Sequence, residues 1–119
     1  MITLGITASS VAKAVKIISA ATSTDGTKAT VNFSCNMANP AGYDPSLVQI
    51  KIGGVAQTTV TVLWGSDHSK YDITLLAVVF AHGDVITMNI PGATFPAEYN
   101  ANIFCPVTTN YSITNNVPA

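Results

Sequence analysis

The chain has 119 residues, 48% of them apolar and only 9% charged, with five lysines, no arginine, Glu98 as its one glutamate, two histidines and a net charge of −1. That length suits a single domain whose core needs no metal or disulfide to fold, and the lack of a basic patch disfavours nucleic acid and anionic membranes as partners. A charge-stabilising active site needs convergent acids, bases and cations, so this inventory points to a structural or binding module, with no cofactor, rather than to an enzyme.

Residues 1–14 are small and polar without a sustained helical or strand period, and read as an N-terminal arm ahead of a domain spanning residues 15–119. The first strand signal covers residues 15–20, followed by a turn at Ser23-Thr24-Asp25-Gly26. The clearest strand comes next: Ala29, Val31, Phe33 and Cys35 alternate with Thr30, Asn32 and Ser34, an apolar row against a hydroxyl and amide row. Residues 36–45, with Asn39-Pro40, Gly42 and Asp44-Pro45, form a loop long enough to cross between sheets.

Residues 47–52 alternate again, and Gly53-Gly54 marks a two-residue hairpin whose partner strand is sought in residues 55–63. Val60, Val62 and Trp64 are expected to share one face. After a turn at residues 65–70, Tyr71, Ile73 and Leu75 begin another strand, and Ala81-His82-Gly83-Asp84 turns the chain once more. The longest apolar run, residues 75–81, is strand-sized and far short of the roughly 18 residues of a membrane span. Residues 85–90, with Ile86, Met88 and Ile90 on one face, stop at Pro91-Gly92. A long loop over residues 93–106 precedes a last strand at 107–114, in which Tyr111 and Ile113 are the inward candidates. About seven strand signals with short turns and no convincing helix describe an all-β, antiparallel two-sheet sandwich of immunoglobulin-like type.

The order of these features resembles the bacterial immunoglobulin-like repeats of long cell-surface and adhesion proteins, in particular the SwmB-like repeat type. "VKIISAATSTDGTKATVNFSCNM" is similar to that family's opening strand, Asp-Gly turn and second strand. "HGDVITMNI" is similar to its turn into the penultimate strand, and "YSITNNV" to its terminal strand. Where family members carry an acidic residue after the serine of the second strand, this chain has Cys35. The resemblance covers about residues 15–117 and implies no catalytic residue. Similar modules stand among the exterior proteins of tailed phage virions as decoration, fibre-base or tail-surface domains.

Few residues offer chemistry. In a sandwich of this order Cys35 ends the second strand and Cys105 precedes the last, at one pole, so the pair is a candidate disulfide. It would close a loop of about 70 residues and contribute about 4 kcal/mol; two reduced, buried thiols are the alternative. Gly65-Ser66-Asp67-His68 holds the residue types of a hydrolase triad, but neighbours in sequence cannot converge as a triad does, and a hairpin turn is the reading. His68 with Asp67 and Asp72, or His82 with Asp84, supply too few ligands for a cation site. Of the aromatics, Phe33, Trp64, Tyr71, Phe80, Phe104 and Tyr111 are assigned to the core, while Tyr43, Phe95 and Tyr99 fall in loops and are the candidate partner contacts. The sequons at Asn32 and Asn110 lie within strands and are treated as chance matches.

The expectation is a non-enzymatic, multicopy structural module on a virion exterior. It docks to other structural proteins of the assembly through the arm at residues 1–14 and adheres weakly to cell-surface glycan or protein. The N-terminus lacks a basic region ahead of its apolar part, which favours assembly in the cytoplasm over secretion. The alternative is an adhesive immunoglobulin-like repeat of a bacterial cell-surface or secreted protein.

Overall fold

The computed structural model describes residues 14–119, which form β1 (Ile17–Thr22), β2 (Ala29–Phe33), β3 (Gln49–Ile52), β4 (Val55–Ala56), β5 (Thr59–Trp64), β6 (Lys70–Leu75), β7 (Ile86–Ile90) and β8 (Thr108–Ile113). Two single-turn 3₁₀ helices, Pro40–Gly42 and Pro45–Leu47, lie between β2 and β3. Residues 1–13, nearly all of the expected arm, lie outside the described residues.

The strands make two antiparallel four-stranded sheets in the orders β1-β2-β6-β5 and β4-β3-β7-β8. This is the strand order of an immunoglobulin-like sandwich, with the two-residue β4 added at the edge of the second sheet. Period-two patterning places the core. Val31 and Phe33 of β2, Tyr71 and Ile73 of β6, Ile50 of β3, and Ile86, Met88 and Ile90 of β7 are all buried between the sheets. At about 25 cal/mol per Å², each such side chain contributes roughly 1.5–3 kcal/mol on burial.

Strand directions give the sandwich two distinct poles. Val15 leads into β1 at the pole where residues 34–48, the turn at 65–69 and the loop at 91–107 gather. The chain leaves past Thr114 at the opposite pole, among the turns at 23–28, 53–54 and 76–85. The outer strands β1 and β8 run parallel to each other. Near the exit they are joined by an Ala21 to Thr114 bridge, with Thr22 N donating to Thr114 O and Thr114 N to Ala20 O, both at 2.9 Å.

The Gly53-Gly54 hairpin forms, with φ of 57° and 81° at its two glycines and Ile52 opposite Val55, as a tight turn with two left-handed residues requires. Its partner strand is shorter than residues 55–63. The chain pairs with β3 only through Val55 and Ala56, then crosses to the other sheet, held by Gln57 N donating to Ile50 O and Thr59 Oγ1 to Val48 O. A register shift between Thr59 and Thr61 moves the phase by one residue, so Thr59 and Val62 point inward while Val60 is 41% exposed. The expected shared face of Val60, Val62 and Trp64 is therefore broken. The apolar run at 75–81 also differs: Ala77 takes φ 55°, ending the strand after Leu75, and Leu76, Val78 and Val79 are exposed while Phe80 turns back into the core.

The β1 to β2 turn shows why its sequence suits it. The Asp25 carboxylate accepts from Ser23 Oγ, Thr27 Oγ1 and Thr27 N, and these bonds, the Ser23 one foremost, lower its pKa to about 2. Gly26 adopts φ 73°, and a Cβ there would lie 2.1 Å from the carbonyl oxygen of Phe80, whose N–H donates to Gly26 O. Gly54 has the same handedness but faces open space. Gly54→Ala should therefore cost about 1 kcal/mol from backbone strain alone, whereas Gly26→Ala should cost roughly 3 kcal/mol or more because a buried contact must also move. Urea midpoints lowered equally by the two substitutions would contradict this account of the turn.

Candidate functional site

The pole where the chain comes in holds most of the polar and aromatic side chains with any potential for recognition. Its two long connections are stitched together. Met37 bridges Ala97, Ala38 N donates to Pro96 O at 2.9 Å and Glu98 N to Asn36 O at 2.9 Å. The two connections are also fastened to the first sheet, because Tyr71 Oη donates to Ala38 O at 2.5 Å and Trp64 Nε1 to Met37 O at 3.0 Å. Burial pushes the Tyr71 phenol above its usual pKa, in keeping with a hydroxyl that serves only as a donor here.

Phe95, expected as a contact residue, is fully buried. Its ring meets Tyr43 edge to face at 5.3 Å and Tyr71 at 5.4 Å, and Tyr71 in turn meets Phe33 at 5.0 Å. The loop that carries Phe95 closes the end of the sandwich, and a large apolar ring is what such a lid needs to bury. Phe95 is an anchor of the pole and is removed from the candidate contacts. Tyr43 rests on it with 36% of its surface exposed, and Tyr99 is 55% exposed, so these two remain on the surface.

A further pair escaped the sequence reading. His68 stacks flat on Trp64, with ring centroids 3.6 Å apart and planes 7° from parallel, and its Nδ1 lies 2.6 Å from Glu98 Oε2. Glu98 arrives from a loop 30 residues away, a separation no local motif announces. Asp67 is not part of this arrangement. It accepts from Lys70 Nζ at 2.8 Å and from Ser69 within its own turn, and these bonds, Lys70 first, lower its pKa to about 2. Asp72 is taken up by Thr30 and Lys28, Asp84 caps Ala81 N, and His82 Nδ1 lies 2.9 Å from Val117 O. Among the described residues no three His, Cys, Asp or Glu side chains are grouped to hold a metal.

The two cysteines of the candidate bridge are free thiols in this structure. Cys105 is drawn under the lid by its N–H, which donates to Phe95 O at 2.8 Å, and burial raises its pKa to about 12. Cys35 lies beyond the end of β2, half-buried beside a hollow of about 410 Å³ that it shares with Ala14, Lys16 and Ser34.

Two apolar surfaces complete the inventory. Leu76, Val78, Val79, Val55 and Val85 are exposed around the exit pole. Between β1 and β8, toward the other pole, an open groove of about 370 Å³ runs past Val15, Ile17, Val107 and Tyr111.

No family model matches the chain, and no curated protein matches it. Among solved structures it is similar to parts of a bacterial S-layer protein. It superimposes on the N-terminal part of the S-layer protein SbsC with a TM-score of 0.70 and 16% identity, covering 90% of this chain and 24% of that one. With the structure of rSbsC(31-844) the TM-score is 0.70 at 16% identity, covering 90% of this chain and 14% of the other. With SbsC domains 1–6 it is 0.68 at 17% identity, covering 91% and 14%. At such identity the likeness shows the fold, and the chain spans no more than about a quarter of those proteins.

Two measurements follow from the site's chemistry. In thiol titration of the native protein at mildly alkaline pH, Cys35 should react promptly and Cys105 only after denaturation, since the thiolate is the nucleophile and burial suppresses it; two fast thiols would contradict the buried placement. Asp25 and Asp67 have folded pKa values below the ordinary carboxylate value of 3.8, so the stability they lend is present above that pH and is lost as pH falls toward about 2. Chemical denaturation at a series of acid pH values should show that loss, and the double variant Asp25→Asn with Asp67→Asn should flatten it.

Proposed function

We propose that this chain is a non-enzymatic structural module of a bacterial cell-surface layer. The observation that carries the reading is the likeness of nine-tenths of the chain to domains of an S-layer protein. The resemblance of its strand and turn motifs to bacterial cell-surface repeats agrees with it. So does the geometry: the fold takes the chain in at one pole and lets it out at the other, the arrangement that lets such units follow one another in a row. Of the two settings that the sequence suggests, virion exterior and bacterial surface, the second is the one these neighbours favour.

In this role the outward chemistry is spare. Asp25, Asp67 and Asp72 serve their own turns and strands, and the aromatic side chains exposed at the loop pole are Phe104, which the sequence had assigned to the core, and the tyrosines Tyr43 and Tyr99. We assign these two tyrosines to contacts with neighbouring surface components, protein or glycan, because a tyrosine offers apolar area and a hydroxyl at little entropic cost.

Surface exposure tests the reading. The protein should be cleaved when intact cells of its source are treated with protease, and should be labelled by antibody on unpermeabilised cells. Full protection inside intact cells, or recovery with purified virions alone, would overturn it.

A further inference from the structure

Among the described residues, the sandwich is closed along one side at one end only. β1 and β8 are the outer strands of their sheets, and the backbone bonds that join them lie at Ala20, Thr22 and Thr114, next to the exit pole. Toward the other pole they part around the groove of about 370 Å³, with Val15, Ile17, Pro106, Val107, Thr108 and Tyr111 along its walls. Neither strand itself carries a charged residue; Lys16, just ahead of β1, and Pro106, ahead of β8, stand at the groove's mouth, where Val107 is 70% exposed. Lysine and proline blunt an open edge, and here they guard its end and not the length of the two strands. This seam has the form of a two-sheet fold short of one strand.

We infer that the seam is an acceptor for the N-terminal segment of a second copy of this chain, which adds as a strand between β1 and β8. Three observations identify the occupant. First, residues 1–13 precede Ala14, which lines the hollow adjoining the groove through their shared Lys16, so the segment starts out from the groove's mouth. Second, although residues 1–14 as a whole have no sustained period, Ile2, Leu4 and Ile6 alternate with Thr3, Gly5 and Thr7, an apolar row of the kind that an apolar groove between two sheet edges selects.

Third, direction favours a partner. β1 and β8 both run away from the loop pole, so a strand antiparallel to both must run toward it. When two copies meet loop pole to loop pole, the segment of one continues straight back from its β1 into the groove of the other and has that direction without bending. Thirteen residues reach about 40 Å when extended, more than the groove requires. Insertion into its own groove would need a reversal within residues 8–14, Ala-Ser-Ser-Val-Ala-Lys-Ala, which offer Ser9 and Ser10, weaker turn formers, but none of the Gly, Pro, Asn or Asp that favour a tight turn most. Exchange of the two segments is reciprocal and gives a closed, two-fold dimer. The inference stands whether or not the copies sit on a cell surface.

Sedimentation equilibrium of the full chain across a dilution series tests it. The wild type should dimerise reversibly. Leu4→Lys, which places an ammonium in the groove, and Val107→Lys, which blocks its mouth from an exposed position, should each weaken the dimer by about a hundredfold or more. Because the first variant keeps its acceptor and the second its donor, mixing the two should restore a heterodimer through one intact pairing. A monomeric wild type, including one that fills its own groove, overturns the inference. So does a Leu4→Lys chain that dimerises as the wild type does, or a mixture that stays monomeric while circular dichroism shows both variants folded.

Discussion

With so few charged side chains, the backbone edges of this sandwich have to be hidden by shape. Each edge meets that constraint in its own way. β5 is packed against the two 3₁₀ turns that follow β2, and these are fixed by Asn39 Oδ1 accepting from Ala41 N and Asp44 Oδ1 from Ser46 N. β4 is two residues long and offers little to pair with. β1 and β8 are tied to each other, but over one end only, and the length left untied is what makes the groove. Neither strand has a charged side chain of its own to blunt the length that stays untied.

The loop pole obeys a related rule. The connection at residues 91–107 between β7 and β8 pairs partly with itself, Cys105 N donating to Phe95 O and Ala97 N to Ile103 O around the Pro96 to Phe104 bridge. It borrows further partners from the residues that follow β2, and buries one large ring beneath itself. Phe95 and Tyr71 hold that lid from inside, while the His68 and Glu98 pair holds it from outside. Fastened on both sides, the lid displays Tyr99, and Tyr43 stands beside it on the connection between β2 and β3 with its ring against Phe95.

What could be read from the chain beforehand divides along physical lines. β2, β6 and β7 were legible because their inward rows are apolar and their outward rows polar, and the Gly53-Gly54 turn because two left-handed residues in succession leave little choice. The break after Ala56 was not legible: Val55 to Leu63 reads as one strand, and what divides it is a pair of bonds, from Gln57 to Ile50 of β3 and from Thr59 to Val48 just ahead of it, together with a one-residue bulge. Phe95 was placed correctly in a loop and wrongly on the surface, since sequence does not say that a loop folds back over a core. The two cysteines were rightly assigned to the same region, yet the lid takes Cys105 inward and leaves Cys35 outside. Glu98 beside His68 had no local signal at all.

The arrangement of the poles bears on how such a unit carries force. A pull between the ends of the fold draws β1 toward the loop pole and β8 toward the exit pole, so the bonds from Thr22 to Thr114 and from Thr114 to Ala20 are sheared together rather than opened one at a time. Asn116 adds to the same patch, its N–H donating to Thr22 Oγ1 at 2.8 Å, and Thr22 is itself buried. Bonds that must break together resist more than bonds that break in turn, so the closed end of the seam is the strong end. A strand added at the open end would extend that sheared contact along the full length of β1 and β8. The place where the fold is incomplete is thus also the place where a second copy would strengthen it most.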